Sequence, residues 1–254
     1  MPISTQEIKK ILIELIENTQ NLASSGQPEN SSEFLTILLG IYRISFSTIR
    51  DIYYLSENKD TGGSILVLSR KIAEHAITVE YMIAKGKDKM TKLFKDHIWV
   101  QVNKEQEFFK LIGEDIAANN MEIKIGSDKA KAEYDKLSND LKKTKTWAGK
   151  SIDQMLESLY KRKKLTDFDF TRISEAYVWG SWLNHPNPFV TRSYLNKEDN
   201  NDEYYYRQGL FMAITFHLRL TTRYIDEIIL SEEDNKHKEL SNRIKSIYAR
   251  LNEK

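Results

Sequence analysis

The sequence predicts an all-α protein, a single-domain bundle of about eight to nine helices, and three observations carry that expectation. Apolar residues recur at helical spacing along most of the 254 residues, and only four prolines and ten glycines interrupt them. No strand-period segment competes with the helical ones. Hydrophobic residues make up 40% and charged residues 30%, the balance of a globular chain able to bury a substantial core.

The elements follow in order. Ser4 is placed to cap a first helix whose Ile8, Ile11, Leu12, Leu15 and Ile16 share one stripe. SSGQPENSS, residues 24–32, reads as a loop, so residues 1–30 form an N-terminal helix and its exit. A second helix runs from about Ser32 to Leu55, with Phe34, Leu35, Leu38, Ile41, Tyr42, Ile49, Ile52 and Tyr53 as its apolar set. NKDTGG makes a turn, and residues 64–85 form the most apolar helix. A fourth helix is expected over 88–118, then a loop through NNMEIKIGS and a charged, exposed helix over 128–143. Ser151 and Gln154 have the capping-box spacing and open the next helix. Asp167 or Thr171 can start a helix ending at His185, and two more follow over about 203–231 and 234–252, the C-terminal segment 203–254.

Composition excludes several chemistries. The chain has no cysteine, which removes disulfides, thiolate metal sites and a cysteine nucleophile. A net charge of +1 supplies no global attraction to nucleic acid or membrane, so a polyanion must be met by a local patch. The first helix carries acidic residues throughout, unlike a signal peptide, and no apolar run approaches the roughly 18 residues of a membrane span. A cytoplasmic location with no membrane partner is the expectation. No Glu-x-x-His or His-x-x-x-His occurs, and TGGS at 61–64 lacks the lysine of a phosphate loop, so neither a metal nor another cofactor is expected.

Two places carry polar groups where chemistry could sit. Arg70 and Glu74 lie four residues apart inside an apolar helix, so they share a face and can pair. The pair is either a register-fixing ion pair or the charged wall of a pocket with Arg70 as an anion binder. Ser181 and His185 are likewise four apart, and His185 ends its helix before Pro186. A histidine in a last turn is favoured in its protonated form by the helix dipole, which suits proton transfer or phosphate binding. A Ser181–His185 nucleophile pair lacks a third member and an oxyanion hole. The densest basic region holds Lys143, Lys145, Trp147 and Lys150, then Lys161, Arg162, Lys163 and Lys164. Lysines beside an aromatic ring suit single-stranded nucleic acid, although such a run is also what a solvated linker looks like.

The run from Arg70 to His75 resembles the Arg-x-x-x-x-His spacing of the HEPN superfamily, all-helical proteins that include metal-independent RNA-cleaving toxins. Five residues apart, the two side chains diverge by roughly 140° around an ideal helix, so a distortion or a second subunit is needed to unite them. A broader pattern covers residues 34–190: Arg70 and Glu74 in an apolar helix, Trp147 followed by Lys150, Ser151 and Ile152, then Ser181, His185 and Pro186. It resembles a domain-of-unknown-function family of uncharacterised bacterial helical proteins and implies that these polar residues meet. The second resemblance supplies no activity; the first implies a HEPN-like protein acting on RNA, a metal-independent endoribonuclease of toxin or phage-defence type. In that reading Arg70, Glu74, His75, Ser181 and His185 are the catalytic candidates, and Lys143, Lys145, Trp147 and Lys150 the nucleic-acid contacts. The expected partner is RNA or another phosphate-bearing ligand, and a homodimer fits the HEPN arrangement. The alternative is a non-catalytic helical module for a nucleotide-like ligand or a protein partner.

Overall fold

The computed structural model describes residues 4–24, 31–111, 121–184, 202–231 and 235–252. Among them are ten α-helices, one short 3-10 turn and no strand. The helices are α1 (Thr5–Ser24), α2 (Glu33–Leu55), α3 (Gly62–Lys85), α4 (Lys87–Leu111), α5 (Met121–Asp135), α6 (Asn139–Lys142), α7 (Ile152–Lys161), α8 (Asp167–Asn184), α9 (Asp202–Ser231) and α10 (Asn235–Asn252). The chain divides into two compact units, residues 1–81 with 156–254, and residues 82–155.

In the first unit serine caps set the helix starts, the one read from the sequence at Ser4 and another at Ser32. Ser4 Oγ accepts from the Glu7 amide at 3.2 Å, and Ser32 Oγ from the Leu35 amide at 3.1 Å. The stripe Ile8, Ile11, Leu12 and Leu15 is buried, and α1 packs against α2, α9 and α10. Each such side chain contributes about 1.5–3 kcal/mol by leaving water. α9 lies at the centre: every residue from Met212 to Leu218 is buried, and the helix touches α1, α2, α8 and α10. Its Tyr206 hydroxyl donates to the Ser56 carbonyl at 2.5 Å, fastening α9 to the end of α2. A helix buried all round cannot carry an amphipathic stripe, so its core contains polar groups that need partners. His217 is one, wholly buried, with Nδ1 2.9 Å from Ser45 Oγ and its ring stacked on Tyr42.

Two glycines let helices approach α3 closely. A Cβ on Gly209 of α9 would stand 2.8 Å from Ile65 Cγ2 and 3.0 Å from the Leu66 nitrogen. A Cβ on Gly180 of α8 would stand 2.7 Å from Arg70 Cβ and 3.2 Å from the Leu66 carbonyl oxygen. The first turns of α3 are therefore seated against two notches.

In the second unit α4 packs on α5 and α6. Gly86, at φ +101, takes the left-handed conformation that separates α3 from α4. The expected loop through Ser127 and single helix over 128–143 are corrected here. α5 already begins at Met121 and stops at Asp135, and α6 is a separate turn. One mid-helix glycine, Gly126, costs only about 1 kcal/mol and does not stop α5. Ser138 makes the break, its Oγ accepting from the Leu141 amide at 3.2 Å as the cap of α6. The capping box at α7 is formed in both directions, Gln154 Oε1 accepting from the Ser151 amide at 3.1 Å and Ser151 Oγ from the Gln154 amide at 3.4 Å.

Candidate functional site

The polar seam between α3 and α8 is built around Arg70. Its Nε donates to Glu74 Oε1 at 2.8 Å, the intrahelical pair that a spacing of four implies. From the other side Tyr177 of α8 lies under the guanidinium, with its ring centroid 4.7 Å from the central carbon. Gly180, one turn further along α8, sits directly on the Arg70 stem. Three contacts thus fix the position of one arginine. Its two Nη groups and Glu74 Oε2 have no hydrogen-bond partner among the described residues. The side chains stay partly open to water, 16% exposed for Arg70 and 31% for Glu74. Arg70 also lies beside the last turn of α8, where the helix dipole favours a cation.

Ser181 is half-buried and follows Gly180 on α8, about 100° further around the helix. His185 lies outside the described residues, as do the side chains of Trp182 and Asn184. His75 does not join Arg70. Burial, and then the charge of Lys71, lower its pKa from 6.5 to about 4, and its Nδ1 is buried without a partner among the described residues. It is therefore a neutral imidazole near neutral pH. Lys143, Lys145 and Lys150 are exposed in the second unit, and Trp147 is half-buried with its ring edge-on to Phe94 at 5.3 Å. Among the described residues no group of three His, Asp or Glu side chains is arranged to hold a metal ion.

Sequence reasoning missed a second charged centre in the first unit. Glu80 of α3, with a side chain only 6% exposed, accepts from Arg219 Nε and Arg223 Nε, both at 2.8 Å, and from Arg223 Nη2 at 3.1 Å. Burial pushes this carboxyl up, but the hydrogen bonds and charges of Arg223 and Arg219 outweigh it and hold the group below its ordinary value. Tyr177 and Gly180 were also missed, although a glycine inside WGSW carries a signal. Glycine within a helix is destabilising unless a close approach requires it.

The described residues thus form a helical bundle in which Arg70 is held, partly open to water, between α3 and α8. The chain belongs to the Family of unknown function (DUF5677), whose family model matches residues 35–204, more than half of its length. The match covers α2 through α8 and reaches the first turn of α9, and it includes Arg70, Glu74, Trp147, Ser181 and His185. No curated protein and no solved structure matches the chain. No helix among the described residues is long and apolar enough to cross a membrane.

Proposed function

We propose that this protein binds RNA through a phosphate seated on Arg70 and cleaves it without a metal, as a HEPN-like endoribonuclease of toxin or phage-defence type. The observation that carries the reading is the state of Arg70: held by Glu74, Tyr177 and Gly180, with its Nη edge unpartnered among the described residues. A guanidinium fixed in this way has lost little freedom still to lose, and its fork matches two phosphate oxygens. In the reaction the ribose 2′-hydroxyl gives up its proton and attacks the neighbouring phosphorus. The bond to the 5′-oxygen breaks, and that oxygen takes a proton. The products are a 2′,3′-cyclic phosphate and a 5′-hydroxyl. Arg70 stabilises charge on the non-bridging oxygens, Glu74 orients Arg70, and His185 is the histidine assigned to proton transfer.

The test is cleavage of RNA by purified protein in excess chelator, comparing wild type with folded Arg70→Lys, His185→Ala and His75→Ala variants. Chelator-resistant cleavage leaving cyclic phosphate ends, lost in Arg70→Lys and in His185→Ala, is the expected result. No cleavage by folded wild type overturns the reading. One observation favours a second reading, a module that binds a nucleotide-like ligand without cleaving it. His75 titrates well below neutrality, and its Nδ1 is buried without a partner among the described residues. Stoichiometric nucleotide binding with an intact ligand afterwards would establish that alternative. A homodimer that brings His75 of one copy to Arg70 of another is distinguished by sedimentation and by mixing the two inactive variants.

A further inference from the structure

The basic run Lys161, Arg162, Lys163 and Lys164 is separated by the fold from the lysines at 143–150 and placed in the same unit as Arg70. All four of its side chains are exposed. The run is not a loose linker. It closes α7 with a Schellman turn, the Lys163 amide donating to the Tyr160 carbonyl at 2.9 Å and the Lys164 amide to the Leu159 carbonyl at 3.0 Å. The residue at the left-handed position of that turn, usually glycine, is Lys163 at φ 55. A lysine here is strained where glycine is not, and Lys163 and Lys164 have no ion-pair partner among the described residues. Leu165, next in the chain, is buried and anchors the turn. Arg219 of α9 ties it from the side, with Nη2 3.5 Å from the Lys164 carbonyl oxygen and Nε on Glu80.

The turn also lies on the line of the Arg70 seam. Arg162 is close enough to Tyr81 of α3 for its charge to oppose the upward shift that burial gives the phenol. Arg70 and Tyr81 are eleven residues apart, which on a helix is about 16 Å along the axis and about 20° around it, hence one face. α8 leaves the turn at Asp167 and meets Arg70 at Tyr177 and Gly180. An exposed basic turn thus stands near one end of the α3 face that carries Arg70.

We infer that the turn Arg162–Lys164 is a phosphate-backbone contact for single-stranded RNA, tracking the strand whose phosphate Arg70 holds. The inference rests on the RNA reading above but concerns binding, so its failure and that of the cleavage reading are separable. A helix C-terminus with cations for the dipole alone explains the charge but not the choice of lysine over glycine at φ 55. A nucleic acid is favoured over a lipid surface because the apolar residue exposed beside the cations in the chain is a single aromatic ring, Tyr160, which suits a base and is too little to enter a bilayer.

The experiment is fluorescence anisotropy of a labelled single-stranded RNA with the full chain across a salt series. The proteins are wild type, Arg162→Gln/Lys163→Gly/Lys164→Gln, and Arg70→Lys. The triple variant keeps the turn, since glycine fits its left-handed position. It should lose at least about tenfold in affinity near 0.1 M salt, and the slope of log K against log salt should become shallower by about 2, roughly 0.7 for each phosphate contact. Arg70→Lys should keep most of the affinity and the slope. Wild-type affinity and slope in the triple variant overturn the inference, as does wild type that binds anionic phosphatidylserine vesicles and not RNA. RNA binding that depends on the turn, without any cleavage, supports it while removing the nuclease reading.

Discussion

Acid should unfold this protein sooner than its carboxylates alone require, because His217 can take a proton only by leaving the fold. The ring is wholly buried, with centroids 5.4 Å from Tyr42 and 6.1 Å from Phe46, and Nε2 has no partner among the described residues. Burial lowers its pKa from 6.5 to about 3. The folded value lies below the unfolded one, so the neutral ring stabilises the fold in full above about pH 6.5. That contribution is lost as the pH falls from there toward 3. At pH 5 the unfolded histidine is almost fully protonated and the folded one neutral, a loss of about RT ln(1 + 10^1.5), or about 2 kcal/mol relative to pH 8. The assay is urea unfolding at pH 8, 7, 6 and 5 for wild type and His217→Gln, in which the amide can keep a contact with Ser45. His75 titrates in the same direction, so the quantity read is the difference between the two proteins, not the wild-type slope. The variant's stability should fall about 2 kcal/mol less between pH 8 and pH 5. Parallel curves for the two proteins would refute the assignment.

Three further outcomes follow from the packing. Gly180→Ala places a methyl 2.7 Å from Arg70 Cβ, so it should cost about 1–3 kcal/mol and displace the arginine, measured by urea unfolding and by loss of RNA cleavage. Glu80→Gln removes the carboxylate from two guanidinium groups that still reach solvent, so the cost should lie near the low end for a broken buried pair, about 3 kcal/mol, read as a shift in unfolding midpoint. A neutral result there would show that water replaces Glu80. Lys163→Gly relieves the left-handed strain and should stabilise the chain by roughly 1 kcal/mol, seen as a raised Tm, while weakening RNA binding.

What the sequence showed and what it hid separate along a physical line. Signals within one turn were legible: the Ser4 and Ser151 caps each form the bond their spacing implies, and so does Arg70 with Glu74. α5 was obscured at its start because Asn119, Asn120 and Gly126 are loop-favouring residues close together in sequence, a local signal that the helix from Met121 overrides. Contacts between distant helices left no local trace. Glu80 meets Arg219 and Arg223 across 139 and 143 positions, and no spacing rule reaches that far. Tyr177 likewise becomes part of the site only once Gly180 has set α8 against α3.

The two ion pairs on α3 separate architecture from a site. Glu80 has both carboxylate oxygens bonded by arginines of another helix and is almost closed to water. It ties α3 to α9, and nothing on it remains to be recognised. Arg70 and Glu74 belong to one helix, so their bond joins no second element and cannot hold the bundle together. A buried intrahelical pair that only neutralised itself would contribute little, since desolvation offsets most of the Coulomb gain. Yet α8 presents a tyrosine face and a glycine to this arginine, which fixes its stem and leaves its outer nitrogens unpartnered among the described residues. Such an arrangement is poorly suited to stability and well suited to an anion, which is why Arg70, rather than the more deeply buried Glu80 cluster, is the residue to vary first.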